Sequence, residues 1–244
     1  MRIGICGGTF DPFHHGHLEP VLAVREEMQW DRVLYIPAWR QPFKAGRIVA
    51  AGSHRFAMAA LAIRNHDAFY LSPIELERGG ISYSVDTLEA LHQQYEGASF
   101  DLIIGADNLA DLHRWKNSER LFQLARFVVL KRGVGGREWG VGEKPGISPA
   151  LIATRGVGEE LGVGEKEADL SPTPDSRPAT PDSPTLHPPP PPTPRIIFAA
   201  NATVPVSSTE IRERVWAGQS IDAFVDPLVS RYIHHYGLYK EGQP

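Results

Sequence analysis

The fold is decided by a glycine- and histidine-rich stretch, Gly7-Gly8-Thr9-Phe10-Asp11-Pro12-Phe13-His14-His15-Gly16-His17. It follows a short apolar run, Met1–Cys6, which predicts a buried β-strand. It precedes Leu18–Met28, where apolar residues at helical spacing predict an α-helix. Ligands bind at such strand-to-helix junctions of open α/β sheets. Glycines there let the backbone approach a phosphate, and a helix start offers unpaired N–H groups.

Two histidines make this junction a candidate catalytic site. His14 and His17 are three residues apart, which places them on one face of a helix start, and Gly16 leaves room for a bulky anion. Two imidazoles beside free amides suit the charge that develops on a phosphoryl group in transfer. Surface histidines in a turn are the simpler alternative. A metal site of His14, His15, His17 and Asp11 is disfavoured, because adjacent helix residues point apart and no further ligand completes a tetrahedral set.

Composition limits the class of protein. The chain has 244 residues, 42% of them hydrophobic and 22% charged, which is typical of a soluble globular protein. Its single cysteine, Cys6, excludes a disulfide framework and favours the cytoplasm. No apolar run is long enough to span a membrane, and the start of the chain has no signal-peptide pattern. The net charge of −4 argues against a general nucleic-acid binder.

Strand and helix patterns alternate along the remaining chain, which predicts an α/β fold with a Rossmann-like, doubly wound, mostly parallel sheet and a small C-terminal helical part. Further strands are predicted at 31–37, 69–74, 100–104, 126–133 and 195–199. Further helices are predicted at 53–65 (N-cap Ser53; core-facing Phe56, Ala60 and Ile63), 87–95, 109–113, the segment ending at 125, and from Pro227 onward.

Residues 134–194 do not fit this alternation. They are rich in Gly and Glu and then in Pro, with five consecutive prolines at Pro188–Pro192. Such a composition cannot bury a core, so we expect a disordered insertion in a surface loop. Residues 1–133 and 195–244 are therefore predicted to form one domain.

Four segments carry a family resemblance. Gly7–His17 resembles the signature of the His-x-Gly-His nucleotidyltransferase superfamily, and its longer form is similar to that of nicotinate-nucleotide adenylyltransferases. Glu75–Leu88 is similar to a Glu-x-x-Arg-x-Gly…Ser-Tyr-Thr-x-x-Thr-Leu pattern of that family, with Ser84 at the Thr position. Gly105–Trp115 matches its Gly-Ala-Asp-x-Leu-x-x-Leu-x-x-Trp pattern, and Ser207–Arg212 resembles the second superfamily signature.

The resemblance implies adenylyl transfer from ATP to nicotinate mononucleotide, assisted by Mg²⁺, without a covalent intermediate and without a metal held by the protein alone. It implies that His14, His17 and Arg212 stabilise the transferring phosphoryl group and that Lys44 assists. The implied ATP-binding residues are Gly7, Gly8, Thr9, Phe10, His14, Gly16, His17, Asp107, Ser207, Ser208, Thr209 and Arg212. The implied nicotinate-nucleotide-binding residues are Thr9, Lys44, Ser84, Thr87, Asp107, Trp115 and Lys116.

Several of these residues also have a purely structural explanation. Ser84 fits a helix cap as well as a ligand contact, and Asp107 fits an N-cap. Ser207 and Glu210 form a capping-box pattern. Lys44 alone is typical of a solvated surface lysine, and Phe43 stands before it where the family has His.

Two other functions remain alternatives. A phosphopantetheine adenylyltransferase shares the His-x-Gly-His motif, but it lacks the pairing of the Ser82–Leu88 pattern with Trp115. A non-catalytic nucleotide sensor on the same fold normally loses one of the two histidines, and this chain keeps both. A class I aminoacyl-tRNA synthetase is disfavoured by the short, non-basic chain. Nicotinate and nicotinamide nucleotides both fit the motifs, and no motif bears on the oligomeric state.

Overall fold

The computed structural model describes residues 1–42, 50–131, 196–201 and 203–240. Lys44 and the insertion predicted over residues 134–194 lie outside the described residues.

The centre of the molecule is one sheet. Its strands are β1 (Arg2–Gly8), β2 (Arg32–Pro37), β3 (Phe69–Leu71), β4 (Ser99–Gly105), β5 (Ala125–Leu130) and β6 (Ile196–Phe198). They lie in the order β3-β2-β1-β4-β5-β6, and every neighbouring pair is parallel. The predicted Rossmann-like sheet is therefore confirmed.

Helices cover both faces of this sheet. They are α1 (His15–Met28), α2 (Gly52–Ile63), α3 (Ile74–Arg78), α4 (Ser84–Gln94), α5 (Ser118–Leu124), α6 (Ser208–Trp216) and α7 (Pro227–His235), with 3₁₀ turns at Ala106–Asn108 and Leu112–Arg114. None of the helices in this described part of the chain is both long and apolar enough to cross a membrane.

The core is divided into two by the alternation of side chains along the strands. On β2, Val33 and Tyr35 pack into one core with residues of α1, α2, α6 and α7. Leu34 and Ile36 of the same strand pack into the other core with residues of α4 and α5. The continuous apolar strands predicted from the sequence therefore face helices on both sides, as parallel strands do.

At the amino ends of the strands, a charged group is fully enclosed. Asp101, which is only 1% exposed, sits on β4 and accepts hydrogen bonds from Arg126 Nε at 2.7 Å and Nη2 at 2.6 Å. Trp30 Nε1 donates a third bond to the same carboxylate at 2.7 Å. Both oxygens of Asp101 are bonded within the protein, so this cluster is a structural tie between β4, β5 and the turn before β2.

Helix α2 differs from its prediction. Its N-cap is Ala51 rather than Ser53, and Phe56 and Ala60 are only partly buried. The buried face contains Arg55, Met58, Ala59, Ala62 and Ile63. Arg55 is turned inward because its guanidinium donates to the carbonyls of Thr9 at 2.6 Å and Ala50 at 3.2 Å. A buried arginine of this kind cannot be recognised from apolar spacing.

Two other elements begin or fold differently from prediction. Helix α4 begins at Ser84 with Tyr83 as N-cap, three residues before the predicted start. The helix predicted at 109–113 is replaced by the two 3₁₀ turns that follow β4.

The topology fixes where a ligand can bind. From β1 the chain proceeds outward to β2 and β3 and then crosses back to β4 on the other side of β1. The loops after β1 and β4 therefore diverge at the carboxyl edge of the sheet, which opens a crevice there.

Candidate active site

The crevice at this switch point is a cleft of about 450 Å³. Its wall is built by the loop after β1, the loop after β2, the start of α4, the segment after β4 and the start of α6. Residues near both ends of the sequence thus contribute to one cavity.

The two predicted histidines lie in this wall and support each other. His14 is the N-cap of α1, and its imidazole stacks on that of His17 with ring centroids 3.7 Å apart. The backbone N–H of His14 donates to Nδ1 of His17 at 3.3 Å. Nδ1 of His17 is therefore unprotonated, and the neutral ring carries its proton on Nε2. This arrangement gives His17 a hydrogen-bond donor for a phosphate oxygen.

Gly16 lines the cleft and has a packing role that was not predicted. A Cβ at this position would lie 3.0 Å from the ring of His14 and 3.1 Å from Cγ1 of Val206. The space beside Gly16 is therefore filled by the protein's own side chains. The absence of a side chain at Gly16 therefore lets α1 lie close to the chain before α6.

The glycine-rich loop is held by aromatic packing. Phe10 is 2% exposed and has a φ of 53°, a left-handed conformation that is uncommon for a residue with a side chain. A Cβ at Gly8 would lie 2.6 Å from its ring, so Gly8 is required by this packing. The Phe10 ring meets His17 edge-on at 5.0 Å. Phe10 thus supports a catalytic candidate, whereas the backbone of Gly7 borders the cleft with nothing within 4 Å of a Cβ placed there.

The start of α6 is joined to this loop. Arg212 donates from Nη1 to the carbonyl oxygen of Asp11 at 2.7 Å and from Nη2 to the hydroxyl of Thr209 at 3.2 Å. The hydroxyl of Ser208 donates to the carbonyl of Pro12 at 3.1 Å. These bonds bring Arg212, Ser208 and Thr209 into the same cleft wall as His14 and His17. We call these five residues the phosphate wall.

Ser207 also lines the cleft and carries out the capping role that its local pattern predicts. Its hydroxyl accepts the backbone N–H of Glu210 at 3.1 Å, and Ser207 is the N-cap of α6. Capping and ligand binding remain compatible for this residue, since the remaining N–H groups of the first turn are available to an anion.

A buried carboxylate organises the loop from behind. Asp11 is 3% exposed, and its Oδ1 accepts the Tyr239 hydroxyl at 2.8 Å and the Ala50 N–H at 3.2 Å. Burial, followed by the charge of Asp11, raises the pKa of Tyr239 far above its usual range, so the phenol stays a donor. Burial lowers the pKa of Arg55, while the charge of Asp11 opposes that shift. The hydrogen bond between Tyr239 and Asp11 therefore fixes the loop after β1 to the last described turn of the chain.

The opposite side of the cleft carries the residues expected to hold a pyridine ring. Trp115 is half-buried and follows the second 3₁₀ turn. Lys116 is ion-paired with Asp86 at 2.8 Å and lies over the Tyr83 ring, 4.7 Å from its centroid. Ser84 is the first residue of α4. We call Ser82, Tyr83, Ser84, Trp115 and Lys116 the ring wall, since all five line the cleft.

Two predicted binding residues are not brought into the cleft wall. Thr87 is 3% exposed, and its hydroxyl donates to Glu75 at 2.7 Å and accepts from Arg78 at 2.9 Å. Asp107 is exposed because the chain turns into a 3₁₀ turn directly after β4, and Asn108 and Asp111 line the cleft instead. Of the remaining predicted residues, the cleft is lined by Gly8, Thr9, Phe10 and Gly16.

Among the cleft residues that were not predicted from the sequence are three polar ones. Glu75 is a buried carboxylate in the wall, Ser82 precedes Tyr83 in it, and Lys131 follows β5. The backbone of Lys131 is fixed by Asn201, which accepts its N–H at 2.9 Å and donates to its carbonyl at 3.0 Å. The available signals were the acidic residue at the start of the Glu75–Leu88 pattern and a lysine placed directly after an apolar strand.

No group of three or more metal-ligating side chains lies together in the residues that the structure describes. His15, the remaining histidine of the motif, faces Glu19 with 3.5 Å between Nδ1 and the carboxylate.

Comparison with known proteins finds similar sequences along the whole chain. Residues 5–214 match the cytidylyltransferase-like family. The chain is 37% identical over 238 residues to a probable nicotinate-nucleotide adenylyltransferase of Roseiflexus sp. (strain RS-1), with 98% of each chain covered. It is 33% identical to the protein of the same name from Thermomicrobium roseum, covering 98% of this chain and 92% of that one.

Solved structures share the fold. Plasmodium falciparum nicotinic acid mononucleotide adenylyltransferase, in its complex with NaAD, superimposes with a TM-score of 0.62 at 17% identity. The comparison covers 98% of this chain and 97% of that one.

Proposed function

This chain belongs to the cytidylyltransferase-like family and, within it, to the nicotinate-nucleotide adenylyltransferases, and we propose how its cleft carries out the transfer. The enzyme transfers the adenylyl group of ATP to nicotinate mononucleotide in NAD biosynthesis, giving deamido-NAD and pyrophosphate. A phosphate oxygen of the mononucleotide forms a bond to the α-phosphorus of ATP while the bond from that phosphorus to the pyrophosphate oxygen breaks. No residue needs to form a covalent bond, so alignment and charge stabilisation account for catalysis.

We assign the phosphate wall to the triphosphate. His17 donates from Nε2, and Arg212 supplies a fixed positive charge whose hydrogen bonds go to a neutral carbonyl and a neutral hydroxyl. These groups face the atoms on which negative charge increases in the transition state. The single observation that carries the proposal is the shared cleft of His17 and Arg212, which are far apart in sequence.

We assign the ring wall to nicotinate mononucleotide. Trp115 offers a flat, half-buried surface for stacking, and Lys116 and the first amides of α4 offer positive charge toward a ring carboxylate. The ion pair of Lys116 with Asp86 reduces its net charge, so the amides carry more of this role than the sequence implied.

We propose that Mg²⁺ enters with ATP. Mg²⁺ keeps several waters and is usually bound through one or two carboxylates and substrate phosphates, which fits a cleft without a cluster of protein ligands in its described part. The ion supplies charge neutralisation at the phosphates. We also propose a cytoplasmic, single-domain enzyme formed by residues 1–133 and 195–244, with Lys44 assisting at the phosphates.

Pyrophosphate release tests the function directly. ATP is mixed with nicotinate mononucleotide, with nicotinamide mononucleotide, with phosphopantetheine or with no acceptor. We expect release with the nicotinate nucleotide and deamido-NAD as the product detected by mass spectrometry. Turnover with phosphopantetheine and with no other acceptor would instead identify the protein as a phosphopantetheine adenylyltransferase. ATP binding without turnover on any acceptor would assign a sensor.

A further inference from the structure

Glu75 is a buried cleft residue that the proposed mechanism does not use. It lies on the short helix α3, is 6% exposed and borders the cleft. Burial raises the pKa of its carboxyl group, while hydrogen bonds from Thr87 and Ser82 and the charge of Arg78 lower it. These hydrogen bonds fix the position of the buried Glu75 carboxylate. The carboxylate in turn fixes the positions of the residues that donate to it.

The direction of each hydrogen bond around Glu75 follows from the donors. The backbone N–H of Trp39 donates to the Ser82 hydroxyl oxygen at 2.9 Å, so the Ser82 proton is available to Glu75. On the other side, Arg78 donates to the Thr87 hydroxyl oxygen at 2.9 Å, so the Thr87 proton goes to Glu75 at 2.7 Å. The hydroxyl groups of Ser82 and Thr87 therefore both donate to the Glu75 carboxylate. An ionised carboxylate accepts both bonds, since all of its oxygens are acceptors.

One end of this network clamps the cleft wall. The N–H of Ser82 donates to the carbonyl of Arg40 at 2.8 Å, in addition to the bond from Trp39 to the Ser82 hydroxyl. Two bonds thus join the loop after β2 to the start of the ring wall. Gln41 and Pro42, which follow directly on that loop, line the same cleft.

We propose that Glu75 is a positioning residue for the acceptor nucleotide. Through Ser82 and Thr87 it holds the loop after β2 and the start of α4 in the arrangement that receives nicotinate mononucleotide. This inference rests on the proposed function, since it concerns the ring wall and leaves the phosphate wall unaffected.

Replacing Glu75 by Gln tests the proposal, because Gln keeps the size of the side chain but puts an NH₂ donor in place of one acceptor oxygen. We expect KM for nicotinate mononucleotide to rise about tenfold, while kcat and KM for ATP change less than about twofold. Glu77→Gln is the matched control, since Glu77 is exposed on the same helix, and we expect no change in either KM.

Thr87 provides a second, independent variant. Thr87→Val removes the hydroxyl with little change of shape, whereas Thr87→Ser retains it. We expect a larger rise of KM for the acceptor nucleotide in Thr87→Val than in Thr87→Ser. This pair decides the question if Glu75→Gln fails to fold, as judged by circular dichroism.

The outcomes separate this inference from the function itself. An unchanged KM in Glu75→Gln, or equal rises for both substrates, overturns the positioning role while wild-type turnover keeps the function intact. Wild-type enzyme that releases no pyrophosphate from ATP and nicotinate mononucleotide overturns the proposed function, and the inference falls with it.

Discussion

Two arginine-containing clusters at opposite edges of the sheet use their charges in opposite ways. At the amino edge, Arg126 is bonded to both oxygens of the buried Asp101, so its charge is neutralised inside the protein. At the carboxyl edge, Arg212 donates to a carbonyl and a hydroxyl, which position the guanidinium without cancelling its charge. The first cluster ties strands together, and the second keeps its charge available for a ligand.

The same contrast applies to accessibility. At the amino edge, the carboxylate of Asp101 is only 1% exposed and also accepts a third hydrogen bond, from Trp30. At the carboxyl edge, Arg212 and His17 border a cleft and are backed by the buried residues Asp11 and Phe10. We therefore expect substitutions at the amino edge to change stability and substitutions at the carboxyl edge to change turnover.

The largest effect on turnover with an unchanged fold is expected at His17. We predict that His17→Ala lowers kcat about 1,000-fold, equivalent to about 4 kcal/mol, because a donor to the transferring phosphoryl group is lost. Pyrophosphate release measures the loss, and circular dichroism checks the fold. His15→Ala is the control, since His15 faces Glu19, and should keep kcat within about twofold. Near-normal turnover of His17→Ala would contradict the assignment.

The next effect is expected at the amino edge. Asp101→Asn should lower the free energy of unfolding by about 3 kcal/mol, because it leaves Arg126 partly buried without its counter-charge. Urea unfolding measures this loss. Both KM values should stay unchanged at temperatures where the variant is folded. A selective rise of either KM would remove the distinction between the two edges.

Arg212→Lys addresses the geometry of the second arginine. Lysine keeps the charge but cannot bond to Asp11 and Thr209 together with a planar fork. We expect kcat/KM for ATP to fall about 30-fold, equivalent to about 2 kcal/mol, with unfolding free energy changed by less than about 1 kcal/mol. A loss confined to stability would place Arg212 with the structural cluster.

The smallest effect is expected behind the phosphate wall. Tyr239→Phe removes the donor to Asp11 and should lower the unfolding free energy by about 1 kcal/mol and kcat by about fivefold. The exposed Tyr236 offers the control, and Tyr236→Phe should change neither quantity. If kcat is unaffected in Tyr239→Phe, the carboxylate of Asp11 holds the loop without this bond.

Regular patterns in the sequence are sufficient to predict the arrangement of the sheet and the position of the cleft. The alternation of apolar strands and amphipathic helices predicts the sheet, and the glycine-rich junction after β1 predicts where the cleft opens. The contact between Arg212 and the loop of Asp11 also follows, since both adjoin carboxyl ends of parallel strands. The clustering of His14, His17 and Arg212 can therefore be predicted from the sequence alone.

Side-chain directions were less accessible. Asp107 is exposed on the 3₁₀ turn that directly follows β4, and its neighbour Asn108 lines the cleft. The Thr87 hydroxyl donates to the carboxylate of Glu75, which lies on the separate short helix α3. No spacing within the sequence around Thr87 indicates this contact. Arg55 counted as polar in the sequence but is buried by bonds to backbone carbonyls that only the tertiary fold brings near.

The bond between Tyr239 and Asp11 also has a consequence for protein synthesis. The loop that bears Asp11 leaves the ribosome before α6 and the turn containing Tyr239, since Arg212 and Tyr239 follow Asp11 by 201 and 228 residues. A nascent chain can pair β1 with β2 long before this, yet its catalytic loop stays without its supports. Activity should therefore appear only after α6 has been synthesised, so products terminated before α6 would be inactive.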